Sequence, residues 1–509
     1  MIDSLSKRFS FKLISNIVSL GISTLITLLI PRFLGSSSYG NFMFLNDHFK
    51  KFFGFLSLGA PMGFFVKISK RKSEIQLLRY YLIFLFIILI ISSIILSLIY
   101  FSNLDSMIYV KIEYKFVILS FIFSFLLFLI NIFRQINDAY NFTVISEKYY
   151  AAHRVLSFII IIILIYKNSL NLYFHFLQLI FVSSILLIIW FIFLNENNIK
   201  PFSKKYSIDK LLAKKYFDEL YNYSHPIFVK GIVVFIVGIS ERWLLQFFGG
   251  SEEQGIFSFA FAISSILVLF TTSVSPIFTS DFSVAWHNRD FNKMRKLFNI
   301  LIPSLFFLTA FFSFFIISNG KSIVSLVGGN SFEGGGLSLM IMALYPIHQV
   351  YGQLCGAVLY SSGKTNIIRN VSIPFQVLGL VMVFFFISNE NYGGLNLGSI
   401  GLIYKMILIQ IIVVNIYLWY CTKMLSISFF KYVYLQLKGI FVLFIISFLS
   451  VYLFKNFTDY LILNILFNGT FYLVSVILLI YTFPSFMGLN KSDIIYFKNK
   501  LININNNDN

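Results

Sequence analysis

The chain has 509 residues, of which 58% are hydrophobic and 12% charged, whereas an ordinary soluble domain carries about 25% charged residues. No water-soluble surface can be built from that composition, which excludes a soluble enzyme or binding module. The net charge of +19 is scattered over short loops between apolar runs instead of gathered on one face, so it argues for a topology signal and against a nucleic-acid partner.

Apolar runs recur along the whole length, and each is close to the roughly 20 residues that one helix needs to cross about 30 Å of hydrocarbon. Backbone polar groups in lipid must bond within their own segment, so these runs are helices. In chain order the predicted spans are 11–31, 41–66, 77–101, 115–134, 149–166 and 172–194, then 225–248, 254–279, 298–318, 335–361, 368–388 and 398–421, and finally 433–454 and 460–483. The expected fold class is therefore an all-α integral membrane protein of about fourteen transmembrane helices. Lys7, Arg8 and Lys12 precede the first run, and Pro31-Arg32 follows it where a small-residue cleavage site would be, so the run reads as a span and not a signal peptide. Cys355 and Cys421 both fall inside spans, which supports neither a disulfide framework nor a zinc site.

Placing alternate loops on alternate sides puts 29 of the 40 Lys and Arg on one side and nine on the other. The remaining two, Lys230 and Lys405, lie inside spans. Positive charge favours the cytoplasmic side, so both termini are expected there. The longest polar connection, 195–224, is basic and divides the chain. The expected parts are an N-terminal bundle of six helices (1–194), this linker, a C-terminal bundle of six (225–421), and two further helices with a polar tail (422–509). The tail, Asn503 to Asn509, reads as disordered. An internal echo supports the division: Gly35 and Gly40 followed by Phe42 end span one, and Gly250 and Gly255 followed by Phe257 end span seven. A helix ending at glycine with a tight turn into the next accounts for that spacing without any function; repeated halves are common in transporters.

The stretch Pro31-Arg32-Phe33-Leu34-Gly35 to Tyr39-Gly40, with Leu58-Gly59-Ala60-Pro61 and the basic Lys67 to Lys72, resembles the start of the polysaccharide and O-antigen flippases of the multidrug/oligosaccharidyl-lipid/polysaccharide exporter superfamily. Glu241-Arg242-Trp243-Leu244, Gly255-Ile256-Phe257-Ser258, Ser362-Gly363-Lys364 and Leu397-Gly398-Ser399-Ile400-Gly401-Leu402 extend the resemblance over roughly residues 10–420. It implies a MATE-like fold: two pseudo-repeated six-helix bundles around a central cavity plus two C-terminal helices, working by alternating access in a bacterial inner membrane. The implied cargo is an undecaprenyl-diphosphate-linked oligosaccharide for O-antigen, capsule or exopolysaccharide. Membrane lipids, a polysaccharide polymerase and a chain-length regulator are the implied partners; no cofactor is expected.

A cation in mid-membrane costs about 2.5–3.5 kcal/mol on insertion scales and so marks a cavity or a partner. Asp47, Lys50 and Lys51 fall nearly on one helical face by three- and four-residue spacing; the plainer account is an interfacial turn with snorkelling lysines. Arg32 and Arg242 occupy matching places in the two halves and suit bidentate phosphate binding, although a headgroup anchor explains Arg32 equally well and Glu241 offers Arg242 a local partner. With Lys230 and Lys405 these cations form the expected anion-binding set, and Asp47 and Glu241 are the candidates for ion coupling. Asn131, Arg134, Gln135, Asn137 and Asp138 read as a polar helix end.

No paired carboxylates, nucleotide-phosphate loop or Ser/His/Asp arrangement supports catalysis, and every outward loop is short. The alternatives are a cation-coupled multidrug exporter of the same fold, a flippase for a lipid-linked peptidoglycan precursor, and, in a different class, a membrane-embedded oligosaccharide polymerase or glycosyltransferase.

Overall fold

The computed structural model describes residues 5–208, 210–455 and 457–484, apart from the side chains of 5–10, 13, 14, 16, 17, 223, 226, 227, 229 and 230. The asparagine-rich tail and the side chains of Lys7, Arg8 and Lys230 therefore lie outside the described residues. The described chain is helical, with no strands. Eleven of its helices are long and apolar enough to cross a membrane, by length and composition, and the protein is a multi-pass membrane protein.

The helices are α1 (Leu5–Leu56), α2 (Ala60–Lys70), α3 (Ile75–Phe101), α4 (Asp105–Ile108), α5 (Tyr114–Ala139), α6 (Thr143–Tyr166), α7 (Leu172–Glu196), α8 (Lys210–Ile266), α9 (Val268–His287), α10 (Phe291–Gly328), α11 (Gly336–Met342), α12 (Tyr345–Ser361), α13 (Thr365–Ile387), α14 (Gly398–Leu425), α15 (Phe429–Phe454) and α16 (Leu461–Thr482). Two of them are broken inside: α1 at Gly35 (φ 75°) and α8 at Gly250 (φ 74°). Left-handed backbone is sterically open to glycine and costly for other residues. The two echoing glycines thus set the two bends.

Three predicted spans are divided differently. Span 41–66 is cut where Leu58 and Gly59 take positive φ, and α2 starts with Pro61 in its first turn, where the missing N–H costs no hydrogen bond. Span 254–279 is shared between the end of α8 and α9. Span 335–361 becomes α11 and α12, with Pro346 in the first turn of α12.

The chain forms two compact units, Met1–Gly255 and Ile256–Asn509. In the first, α1 packs on α5 and α6, α5 on α7, and α2 on α5, around Phe44, Phe49, Phe53, Phe64, Tyr81 and Trp190. Phe64 stacks on Tyr81 with ring centroids 3.9 Å apart. In the second, α12 packs on α9, α10 and α14, α13 on α14, and α10 on α15 and α16, around Phe298, Phe306, Phe314, Tyr351, Tyr432 and Tyr472. Lipid tails are as apolar as these side chains, so close packing and interhelical hydrogen bonds hold the helices together. Gly439 lets α15 approach Phe306 of α10, and Gly469 lets α16 approach Phe315; an added Cβ would stand 3.1 and 3.2 Å from those rings. Asn468 of α16 donates to Asn319 of α10 at 2.6 Å and accepts from Ser450 of α15 at 2.5 Å.

Candidate functional site

The site lies in the first unit, where α1 beyond Gly35 and α8 before Gly250 run side by side. Residue numbers rise on one helix as they fall on the other, so the two are antiparallel. Phe55 stacks on Phe235 at 4.2 Å, Lys51 meets Gly238, Asp47 meets Arg242, and Gly40 meets Ser251.

Asp47 and Lys51, one helical turn apart, form an ion pair of 2.6 Å. Lys51 Nζ also donates to the carbonyl of Gly238 at 2.8 Å. That carbonyl is reachable because Gly238 carries no side chain: a Cβ there would come within 3.2 Å of Lys51 Cε. Arg242 brings its Nε to 3.9 Å from the same Asp47 carboxylate, and Tyr39 and Glu241 complete its ionisable surroundings. One carboxylate is therefore shared by two cations from two helices. The Asp47 and Lys51 side chains are about a third exposed and that of Arg242 is 12% exposed, so the cluster is reachable from outside the packed core.

Several neutral groups position Arg242. Trp243 Nε1 donates to Met107 O at 3.2 Å, and Gln246 donates to Val110 O at 2.9 Å and to Ser251 Oγ at 3.1 Å. Gln254 reaches back across the bend to the carbonyl of Arg242. Sequence reading passed over Gly238, Gln246 and Gln254. Their one signal was polar or small character inside an otherwise apolar segment.

Two helical turns from Asp47 the broken helices cross. A Cβ on Gly40 would lie 1.8 Å from Ser251 O, and a Cβ on Gly255 would lie 2.0 Å from Ser36 O. Ser36 and Ser251 each follow a bend glycine, and Gly40 and Gly255 each come five residues after one. The crossing is therefore reciprocal, backbone on backbone, with each half of the echo touching the other. Turn chemistry explains Gly35 and Gly250; close approach explains Gly40 and Gly255.

The other expected residues are placed apart. Lys50 is exposed beside Lys51, and Arg32 is exposed three residues before the Gly35 bend. Lys405 belongs to the second unit and is buried on α14, where its Cε would stand 2.5 Å from a Cβ on Gly379 of α13. Lys230 is on α8, and its side chain lies outside the described residues. The structure thus brings Asp47, Lys51 and Arg242 together, with Glu241 adjacent in sequence.

The polar end of α5 is more than a cap. Arg134 grips Glu147 of α6 through Nη2 at 2.8 Å to both carboxylate oxygens and through Nε at 3.1 Å, and it covers the Tyr150 ring at 4.1 Å. Glu147 is 1% exposed. Lys12 of α1 pairs with Asp138, and Ser15 donates to the carbonyl of Glu147 at 3.2 Å. Three helices are tied there by charge. Among the described residues no group of three or more His, Cys, Asp or Glu is placed to hold a metal ion.

No protein-family model matches the sequence, and no curated protein matches it. Solved structures do match its fold. The lipid II flippase MurJ in an inward closed conformation superposes with a TM-score of 0.66 at 16% identity, over 92% of this chain and 99% of that one. A multidrug resistance MATE family transporter of the MOP superfamily, in an inward-facing conformation, superposes with a TM-score of 0.58 at 16% identity, over 83% of this chain and 98% of that one. The chain shares the MATE-like fold of these two structures, one described as a flippase and the other as a transporter.

Proposed function

We propose that the protein is a flippase that moves an undecaprenyl-diphosphate-linked oligosaccharide across the bacterial inner membrane by alternating access, with both termini in the cytoplasm. The reading includes fourteen spans, six-helix bundles at 1–194 and 225–421 joined by the linker 195–224, and two further helices in 422–509. It takes Arg32, Lys50, Lys51, Arg242, Lys405 and Lys230 as the groups that meet the cargo's anionic head. A polysaccharide polymerase and a chain-length regulator would act on the product side.

The observation that carries this reading is the sharing of Asp47 by Lys51 and Arg242. A lone carboxylate supplies one negative charge to two cations, whereas a diphosphate supplies more charge and more acceptor oxygens, and arginine suits it bidentately. Cargo would displace Asp47 as the counter-ion. Asp47, released from its partners, and the neighbouring Glu241 are the groups this reading assigns to ion coupling. The Gly35 and Gly250 bends and their backbone crossing provide two pieces that separate and rejoin without side-chain rearrangement.

The test is translocation of lipid-linked oligosaccharide in reconstituted vesicles, comparing the native protein with Lys50→Ala/Lys51→Ala and with Arg242→Gln at matched amounts of folded protein. A loss of at least about tenfold in each variant is expected, equivalent to about 1.4 kcal/mol of lost interaction. Full translocation by both variants would overturn the role of the cations. An inactive native protein that instead exports organic cations would replace the reading with the multidrug one.

A further inference from the structure

We propose that residues 200–208 and 210–221 form an anchor for anionic phospholipid headgroups in the leaflet that borders the basic loops. The segment has an inner face fixed to the first unit and an outer face of interleaved lysines and apolar side chains.

The inner face sets its depth. Arg79, in the second turn of α3, donates to the carbonyls of Ser203 and Tyr206 at 3.0 and 3.2 Å. Tyr216 is buried, its ring 5.5 Å from that of Tyr80, and its hydroxyl donates to Glu74 at 2.7 Å. Glu219 accepts from Lys67 at 3.0 Å and from Arg71 at 2.5 Å. All these partners lie at the ends of α2 and α3, where apolar span gives way to polar loop. The segment is therefore held level with the headgroups.

The outer face points the other way. Lys204, Lys205, Lys210, Lys214 and Lys215 are all exposed, and among them Leu211 is 80% and Phe217 55% exposed. In water such apolar exposure is unfavourable; at an interface the apolar groups enter the acyl boundary while lysines reach the phosphates. Asp218 is exposed on the same stretch, and Glu219 is engaged inward, so among the described residues the outer surface is cationic. Clusters of four or more lysines at this depth bind anionic leaflets, and the attraction falls off within a Debye length. An acidic protein partner is the competing occupant; the depth and the exposed Leu211 favour lipid.

The full-length chain provides a test. Cys355 and Cys421 are buried, so the thiol of Leu211→Cys is the accessible one and can carry an environment-sensitive fluorophore. In phosphatidylglycerol bilayers the label should be blue-shifted, quenched by nitroxide lipid, and protected from iodide at least twofold better than in phosphatidylcholine at equal ionic strength. Lys204→Gln/Lys205→Gln/Lys214→Gln/Lys215→Gln should remove that difference. Equal iodide quenching in the two bilayers would overturn the proposal, because the segment would then face water. A phosphatidylglycerol effect that survives the four substitutions would overturn the lysines' part in it.

Discussion

The two compact units are held together by different chemistry. In the first, helices are joined by ion pairs: Lys12 to Asp138, Arg134 to Glu147, Lys67 and Arg71 to Glu219, and Lys51 and Arg242 to Asp47. In the second, the contacts described above are amides and hydroxyls: Asn319, Asn468 and Ser450, with Gln410 donating to Gln349 at 2.7 Å and Tyr472 donating to Phe311 O at 3.0 Å. Neutral bonds hold their geometry without regard to a passing charge. Ion pairs respond to any anion or proton that arrives, so the contacts named in the first unit are the more sensitive of the two sets to charge.

Substitutions should separate these modes. The largest effect is expected at the crossing that belongs to neither class: Gly40→Val places side-chain atoms against the Ser251 carbonyl, and overpacking of this kind costs about 1–3 kcal/mol even where neighbours can shift. Thermal unfolding in detergent should show a clear fall, with translocation lost; unchanged melting would mean the crossing is looser than its backbone distances imply. Next is Glu147→Gln, which leaves Arg134 without its counter-charge. The cost is about 2 kcal/mol, below that of a fully buried pair because Arg134 is 22% exposed. Asn468→Ala removes two neutral interhelical bonds and should cost about 1 kcal/mol. If Asn468→Ala destabilised more than Glu147→Gln in the same melt, the proposed division of labour would be reversed.

The smallest effect is a pH dependence. Burial alone would raise the Glu219 carboxyl, but hydrogen bonds from Arg71 and Lys67 outweigh it and hold it below the ordinary glutamate value. A depressed carboxyl contributes stability above the ordinary value and loses it as pH falls through its own lower one. Hydrogen exchange in residues 210–222, corrected for intrinsic rates, should therefore quicken on acidification below the ordinary glutamate range. The Glu219→Gln variant should exchange quickly at neutral pH as well, with little further change in acid.

The apolar periodicity made the all-helical membrane class legible, because about 20 apolar residues admit few other structures in lipid. The glycine echo likewise marked the places where α1 and α8 break, at Gly35 and Gly250, but it could not show that Gly40 and Gly255 serve a close backbone approach, since a packing glycine and a turn glycine read alike. Spacing grouped Asp47, Lys50 and Lys51 on one face, yet only Lys51 reaches Asp47 and the Gly238 carbonyl; Lys50, a residue away, turns outward. The partner that distinguishes them is nearly 200 positions later in the chain. Glu147 gave no signal, because one acid near a helix start is ordinary until an arginine from another helix closes on it.

The glycine crossing has a consequence for how such a protein can vary. Its contacts are backbone atoms, with the Gly40 position against the Ser251 carbonyl and the Gly255 position against the Ser36 carbonyl, so the joint demands glycine at two places and asks of Ser36 and Ser251 only the carbonyl that every residue possesses. Substitutions can therefore accumulate around it without opening the crossing, which gives one architecture room to drift toward distant sequences while this backbone joint stays the same.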